Sequence, residues 1–221
     1  MKEVELDNAG LNEVIREAGG GEEGLYVIGV PERRVSFGRR DENREGFSEA
    51  CRVSRRKGYC VKVRGVGGGP VVHDGDTLGF LAVYPVEDSK TGIKERYIAV
   101  IEALEDKLKE TDPSIKIGEP SESFCPGEYS LSNSSGKIAG TAQRVSEDAA
   151  AVSGVINLDL ATEVPETYRE IYTALDYPLD IDSVGRLDAD ENEVRSYVKN
   201  ALSAAEEEIG VKDNMTAEDE R

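Results

Sequence analysis

The stretch Gly136-Lys137-Ile138-Ala139-Gly140-Thr141-Ala142-Gln143-Arg144 decides our interpretation of this chain. It is short and apolar around one lysine, Lys137, and it predicts a β-strand. A lysine in such a place commonly points to solvent. The alternative is a cation aimed at an acyl carbonyl or a phosphate, where it stabilises developing negative charge. The stretch alone leaves both interpretations open.

A glycine run lies upstream, between an arginine and the histidine of the chain. Arg64 precedes Gly67, Gly68 and Gly69, and His73 follows them. Glycines allow close approach of a ligand to the backbone, and their N–H groups hold anions. Arg64 adds a planar cation that fits a phosphate or carboxylate. A glycine-rich hairpin without a ligand would have the same pattern, and the absence of a following Gly-Lys-Ser/Thr excludes a Walker loop.

A cysteine stands in a turn between these two motifs, in the sequence Phe124-Cys125-Pro126-Gly127-Glu128-Tyr129. The surrounding residues 119–135 are polar and irregular, so the Cys125 thiol is predicted to be accessible. An accessible thiolate can carry an acyl group as a thioester. An inert loop cysteine is the alternative.

The charge of the chain limits its partners. Its 221 residues include 27 basic and 45 acidic side chains, for a net charge of −18. Such a chain is a poor match for nucleic acid or for an anionic membrane surface, which both select clustered lysine and arginine. Abundant acidic residues and the absence of tryptophan indicate a salt-adapted source; an ordinary acidic cytosolic protein is the alternative.

Cysteine and histidine are scarce. Cys51, Cys60 and Cys125 are widely spaced, so no disulfide framework is predicted. His73 is the sole histidine, and no residue cluster predicts a metal site. The N-terminus has no apolar signal region and no stretch is long enough to span a membrane, so we expect a cytoplasmic protein.

Hydrophobic periodicity predicts an α+β fold, a mixed β-sheet with helices packed on it. A hairpin is predicted from strands 25–30 and 34–37, joined through Pro31-Glu32. Two domains are predicted, a catalytic unit at 1–180 and a C-terminal helix with a frayed acidic tail at 181–221. The remaining predicted helices lie at 10–18, 47–57, 91–110 and 165–175, and the remaining strands at 59–63, 70–73, 78–84, 115–117, 137–142 and 152–160.

Taken together, the motifs resemble the lipoate protein ligase A and octanoyltransferase families, within the biotin and lipoate protein ligase superfamily. The resemblance covers roughly residues 25–160 and includes Gly38-Arg39-Arg40, the glycine run and the Lys137 stretch. The Cys125 segment resembles the cysteine loop of octanoyltransferases that move octanoyl between lipoyl-carrier proteins. The resemblance implies the catalytic-domain fold shared by biotin protein ligases and class II tRNA synthetases.

The resemblance also implies substrates and site residues. The acyl substrate would be lipoate or octanoate, with ATP and Mg²⁺ for a ligase. The partner would be a lipoyl-carrier protein, either the lipoyl domain of a 2-oxoacid dehydrogenase or the glycine cleavage H protein. Cys125 and Lys137 would be catalytic, and the binding residues would be Arg64, Gly67, Gly68, Gly69, His73, Gly140, Thr141 and Ala142.

Three functions follow from these motifs. In a transferase, Cys125 would accept the acyl group as a thioester and pass it to a lysine. In an ATP-dependent ligase, Arg64, the glycine run and Lys137 would surround the phosphate of lipoyl-adenylate. A non-catalytic lipoate-binding or ligase-partner module is the third. Val66 stands where the family commonly has serine, and from its length we expect the chain to be without the accessory domain of two-domain ligases.

Overall fold

The computed structural model describes residues 1–3, 11–21, 23–65, 67–86, 88 and 90–219. Val66, the departure from the family pattern noted above, lies outside them. The strands are β1 (Lys2–Glu3), β2 (Leu25–Gly29), β3 (Arg34–Phe37), β4 (Cys60–Val63), β5 (Val71–His73), β6 (Thr77–Pro85), β7 (Lys116–Ile117), β8 (Ser130–Asn133), β9 (Gly136–Val145) and β10 (Ala149–Asn157). The helices are α1 (Leu11–Gly19), α2 (Phe47–Arg56), α3 (Ile93–Leu108), α4 (Glu163–Ala174) and α5 (Glu191–Asp219).

A mixed sheet of seven strands forms the centre of the molecule. Its order is β1-β2-β6-β10-β9-β8-β7, with β1 parallel to β2 and every other neighbouring pair antiparallel. The strands alternate between two faces, as β-strands do. One face packs on α3 and α5 and forms the largest core, which includes Phe80, Leu104, Ile138 and Val198.

The opposite face of the large sheet is only partly covered. Helix α1 packs on one end of it, where Val14 and Ala18 meet Leu25, Val83 and Ala149. The rest of this face turns towards a second, three-stranded sheet of order β4-β3-β5. The candidate site lies between the two sheets.

The small sheet has its own core with α2 and α4. Val35 and Phe37 of β3 are fully buried there against Tyr168 and Ile171 of α4. Helix α2 ends as the sequence predicts, because Gly58 takes a left-handed φ of 82° just beyond it. The expected α+β architecture with a mixed sheet is confirmed.

Two local predictions are wrong. Strands β2 and β3 form no hairpin: β2 pairs with β1 and β6 in the large sheet, whereas β3 pairs with β4 and β5 in the small one. Strand β2 thereby lies beside the buried strand β6, whereas β3 contributes Val35 and Phe37 to the core of the small sheet. Helix α5 continues to Asp219, where a frayed tail was expected after residue 210. The domain boundary at residue 180 stays a prediction.

Candidate functional site

A cavity of about 1070 Å³ lies between the two sheets. The large sheet provides its floor through β2, β6, β9 and β10, and the small sheet provides one wall through β3 and β5. The surface of the cavity is more apolar than polar. This volume is in the upper range for small-molecule sites, so an acyl chain fits with room to spare.

Glycines lower the floor of this cavity. Gly29 is opposite Gly79 in the β2–β6 pair, and Val155 links Gly79 to Gly140 across β10. Gly154 accommodates the Phe80 ring, since a Cβ on Gly154 would lie 2.5 Å from Phe80 Cζ. The glycines on neighbouring strands therefore leave a trough, interrupted by the Val155 side chain, where an elongated ligand can lie.

The glycine run forms a loop over one side of the cavity, and Arg64 holds its shape. The Arg64 guanidinium donates to the carbonyl oxygens of Gly67, Gly69 and Ser36, with the Nη2–O distance to Gly69 at 2.6 Å. Gly67 and Gly68 line the cavity. Gly69, predicted with them, lies behind it, where a Cβ would come 3.1 Å from the Tyr172 hydroxyl.

Cys125 lies directly against this loop. Its Sγ is 3.6 Å from Arg64 Nη2, and a Cβ on Gly68 would be 2.7 Å from the sulfur. The cysteine has a left-handed φ of 42°, which is uncommon for a residue with a side chain. The thiol is half-buried and lines the cavity, so the prediction that it is accessible is confirmed.

Tyr172 holds the backbone of the cysteine turn in place. The Cys125 N–H donates to the Tyr172 hydroxyl at 2.7 Å, and that hydroxyl donates to the Pro70 carbonyl oxygen at 3.0 Å. Burial raises the pKa of Tyr172 well above its ordinary value, so the hydroxyl stays protonated and can donate. Helix α4 thus ties the cysteine turn to the end of the glycine loop.

Lys137 is buried, with 1% of its side chain exposed, so the interpretation as a solvent-facing lysine is wrong. Its Nζ donates to the carbonyl oxygens of Cys125 at 2.7 Å and of Phe124 at 3.0 Å. The third partner of Nζ is the Glu119 carboxylate at 2.7 Å. Lys137 lines the cavity. Its three donors are all engaged by residues 119–130, which we call the cysteine loop.

Glu119 was missed by the sequence reasoning. Its carboxylate accepts from the N–H of Gly127, the hydroxyl of Ser130 and the ammonium of Lys137, at 2.9, 3.0 and 2.7 Å. These bonds close the cysteine loop at both ends. A glutamate in a polar, irregular segment has no motif around it, and its role becomes visible only when the loop is folded.

His73 lines the cavity and is 6% exposed. Burial, followed by the nearby charges of Arg34 and Arg64, lowers its pKa from 6.5 to about 3. The imidazole is therefore neutral at physiological pH. Its Nδ1 has no hydrogen-bond partner among the described residues. This environment fits a residue that shapes the pocket better than it fits a general base.

The remaining predicted residues lie together on β9. Gly140, Thr141 and Ala142 all line the cavity. The Thr141 hydroxyl donates to the Tyr129 carbonyl oxygen at 2.6 Å, which ties β9 to the end of the cysteine loop. Gly140 allows the Lys137 side chain to pass, since a Cβ there would be 3.4 Å from Lys137 Cε.

Arg34 is a second residue that sequence reasoning missed. It stands opposite His73 in the β3–β5 pair and lines the cavity. Burial lowers the pKa of its guanidinium, and Glu32 opposes that effect. An arginine at the start of a predicted strand has no distinctive pattern, so only the pairing with β5 brings it into the site.

Two other kinds of site are absent from the described part of the chain. No group of three or more histidine, cysteine, aspartate or glutamate residues there could hold a metal ion. No helix among those residues is long and apolar enough to cross a membrane.

Comparison with known families gives one match over most of the chain. The model of the lipoyl protein ligase A/B catalytic domain matches residues 4–206. A lipoyl-[GcvH]:protein N-lipoyltransferase from Listeria monocytogenes is 30% identical over 145 residues, which are 65% of this chain and 52% of the relative. An octanoyl-[GcvH]:protein N-octanoyltransferase from Geobacillus kaustophilus is 33% identical over 115 residues, which are 52% and 41% of the two chains. The chain spans about half the length of these relatives.

Solved structures support the fold. Lipoate-protein ligase A bound with ATP superimposes with a TM-score of 0.69 at 18% identity, over 87% of this chain and 76% of the other. Protein Ta0514 of T. acidophilum, with bound lipoic acid, gives a TM-score of 0.66 at 17% identity, over 92% and 84% of the two chains. At such identities the similarity is one of fold, and it agrees with the fold that the sequence motifs imply.

Proposed function

Because the chain belongs to the lipoyl protein ligase A/B catalytic domain family, we propose that it transfers an octanoyl or lipoyl group to a lysine of a lipoyl-carrier protein through a thioester on Cys125. The observation that carries this proposal is the position of the Cys125 sulfur, 3.6 Å from the Arg64 guanidinium at the wall of the cavity. From this position the sulfur can reach the carbonyl carbon of an acyl group held in the cavity, as a covalent nucleophile must.

The partner follows from the relatives. Two relatives are named for acyl transfer that involves GcvH, the glycine cleavage H protein. We assign the same class of carrier to this chain, with the lipoyl domain of a 2-oxoacid dehydrogenase as the other carrier. The acyl chain would lie in the glycine-floored trough, with its carbonyl carbon next to Cys125.

The proposed reaction has two acyl transfers. In the first, the Cys125 sulfur attacks the carbonyl carbon of an acylated lysine on the donor carrier. A carbon–sulfur bond forms, the carbon–nitrogen bond breaks, and the thiol proton ends on the departing lysine amine. In the second, the lysine amine of the acceptor attacks the thioester. The carbon–nitrogen bond forms, the carbon–sulfur bond breaks, and a proton of the amine returns to the sulfur.

Lys137 has a double role in this proposal. In the structure it holds the Cys125 and Phe124 carbonyl oxygens, which positions the turn that carries the thiol. To stabilise negative charge on the acyl oxygen, Nζ exchanges one of these carbonyl partners for that oxygen. Moving Nζ away from a carbonyl partner costs free energy, because Glu119 already balances its charge. We expect the binding of the acylated carrier to supply this free energy.

An ATP-dependent lipoate ligase is the second candidate function, and one observation favours it. Arg34 and Arg64 both line the cavity without a carboxylate within 4.0 Å among the described residues, and His73 is neutral beside them. Two such arginines fit the phosphate of lipoyl-adenylate, with ATP and Mg²⁺ as the further requirements. The Cys125 position has no use in that reaction, so we rank it second.

We also propose the cellular compartment and the salt conditions in which the protein works. The three cysteines of the chain, all within the described residues, are free thiols, which fits a reducing compartment such as the cytoplasm. The net charge of −18 fits a salt-adapted protein, because salt screens the repulsion among surface carboxylates.

The test is to mix the protein with octanoylated H protein, quench in acid and measure the intact mass with and without hydroxylamine. A hydroxylamine-labile octanoyl adduct is expected on the wild type. Cys60→Ser is the matched control, because Cys60 is exposed and outside the cavity, and it should keep the adduct. Cys125→Ser should lose it.

Two outcomes contradict the proposal. If Cys125→Ser modifies the carrier fully, and only with ATP and free lipoate, the ligase replaces the transferase. If neither acyl source gives a modified carrier with the wild type, the chain is a binding module.

A further inference from the structure

The basic residues of this acidic chain are concentrated in one segment, residues 32–64, which we call the basic lobe. It holds 11 of the 27 basic residues and 5 of the 45 acidic ones, a net charge of +6 against −24 for the remainder. The basic lobe contains α2, β3 and β4, so it forms one side of the small sheet. An uneven distribution of this size creates a local field that selects partners.

Part of this positive charge is not neutralised inside the protein. Five basic residues of the lobe form ion pairs, namely Arg33, Arg52, Arg56, Lys57 and Lys62. The other six have no carboxylate within 4.0 Å among the described residues, namely Arg34, Arg39, Arg40, Arg44, Arg55 and Arg64. Of these six, Arg39, Arg40 and Arg55 are exposed.

The turn that carries Arg39 and Arg40 lies next to the candidate catalytic residues. Gly38 precedes them and packs so closely on Gly68 that a Cβ on Gly38 would overlap with the Gly68 carbonyl oxygen. Gly68 in turn touches the Cys125 sulfur. The backbone that carries the two exposed arginines is therefore connected to the thiol by the contacts of Gly38 with Gly68 and of Gly68 with Cys125.

This turn is held rigidly by a buried carboxylate. Asp41, with no exposed surface, accepts a hydrogen bond from the Gly38 N–H at 2.6 Å and one from the Tyr177 hydroxyl at 2.8 Å. Arg44 stacks over the Tyr177 ring at 4.1 Å from its centre and closes the turn from the other side. A preformed basic turn loses little entropy when a partner binds.

We propose that Arg39 and Arg40 form the docking surface for the acidic face of the carrier protein, beside its acyl-lysine. This rests on the proposed function, since the acyl-lysine of the carrier must reach Cys125. A compact acidic domain can contact the basic lobe alone. A nucleic acid duplex is a less suitable partner, because its extended negative charge would also meet the acidic remainder of the chain.

The experiment measures binding separately from catalysis. The dissociation constant for unacylated H protein is measured by calorimetric titration with the wild type and with Arg39→Glu/Arg40→Glu. The matched control is Lys107→Glu/Lys109→Glu, which makes the same change in net charge at the end of α3, away from the cavity. Thermal unfolding of each variant confirms that it is folded.

We expect Arg39→Glu/Arg40→Glu to weaken binding at 50 mM salt by at least about tenfold, because like charges then face each other across the interface. The control should bind within about twofold of the wild type, and the difference should shrink at 500 mM salt. Equal affinities for the two variants, no binding by the wild type, or tighter binding of a DNA duplex than of H protein would each overturn the docking surface.

Octanoyl transfer is assayed on the same samples. A wild type that binds H protein but transfers no acyl group contradicts the proposed function and leaves the docking surface in place. A wild type that transfers normally while both variants bind equally contradicts the docking surface alone.

Discussion

Lys137 donates a hydrogen bond of 2.7 Å from its Nζ to the backbone carbonyl oxygen of Cys125. The two residues proposed as catalytic are therefore joined through the cysteine loop, and the loop is in turn closed by Glu119. A change at any of these three residues should move the others.

The first prediction concerns Lys137→Met. Loss of a charge stabiliser at a transition state typically costs about 100- to 1000-fold in rate. The variant should also lose about 2–3 kcal/mol of unfolding free energy. This is less than the cost of removing one partner from a fully buried ion pair, because the Glu119 side chain is 19% exposed. Transfer rate and urea unfolding are the two measurements.

A double variant separates these two effects. Lys137→Met/Glu119→Gln removes the uncompensated carboxylate, so we expect it to regain stability without regaining activity. A double variant with wild-type transfer would mean that Lys137 has only a structural role.

The second prediction concerns Arg64 and the reactivity of Cys125. Iodoacetamide should alkylate Cys125 faster than Cys60, because Arg64 lies next to the Cys125 sulfur whereas the Cys60 sulfur is 3.5 Å from the Glu32 carboxylate. Arg64→Gln should slow alkylation of Cys125 and leave Cys60 unchanged. The measurement is peptide mapping by mass spectrometry over time.

Cys60 serves as the internal reference in that experiment. If Arg64→Gln slows both cysteines equally, the protein has changed as a whole. If it slows neither, Arg64 only braces the glycine loop.

The third prediction concerns His73 and stability in acid. Its pKa is about 3 when folded and about 6.5 in an unfolded chain, so folding favours the neutral ring. The contribution of the neutral ring is complete above pH 6.5 and is lost progressively as the pH falls towards 3. Two pH units below 6.5, at pH 4.5, the loss is about 3 kcal/mol.

His73→Gln removes the titration of the imidazole, whereas the carboxylates titrate alike in the wild type and in the variant. Between pH 7 and pH 4.5, the wild type should therefore lose about 3 kcal/mol more unfolding free energy than the variant. Parallel curves of stability against pH would show that His73 is protonated freely in the folded state.

The fourth prediction concerns Gly29 and the length of the acyl chain. Gly29 lines the cavity, and a Cβ built there meets no atom within 4 Å, so Gly29→Leu should fold and fill part of the trough. We expect KM for an octanoyl donor to rise while KM for a butyryl donor changes little. Gly75→Ala, at another open position in an exposed turn, is the control. An equal effect on both donors would place the acyl chain elsewhere.

The fifth prediction concerns salt. Raising potassium chloride from 0.1 to 2 M shortens the Debye length from about 10 Å to under 3 Å. With a net charge of −18, the folded chain should gain stability, seen as a rising Tm. Sucrose at equal osmolality is the control for exclusion effects. A Tm that falls over this range contradicts salt adaptation.

The sequence by itself determined the class of fold, most of its elements and the motifs from which the catalytic residues are proposed. Periodicity is a local property, so strands such as β6 and β9 and the helix α3 are visible in it. The glycine run, Cys125 and Lys137 are recognisable for the same reason, since each motif is contiguous. The family likewise follows from the order of contiguous motifs.

Only the tertiary structure decided which segments are neighbours. Strands pair with segments that are distant in the sequence, so β2 and β3 joined different sheets in place of the predicted hairpin. Arg64 and Cys125 are 61 positions apart, and Glu119 and Lys137 are 18 apart. A hydrogen bond or an ion pair acts through space over a few ångströms, and the sequence positions of its partners do not specify that distance.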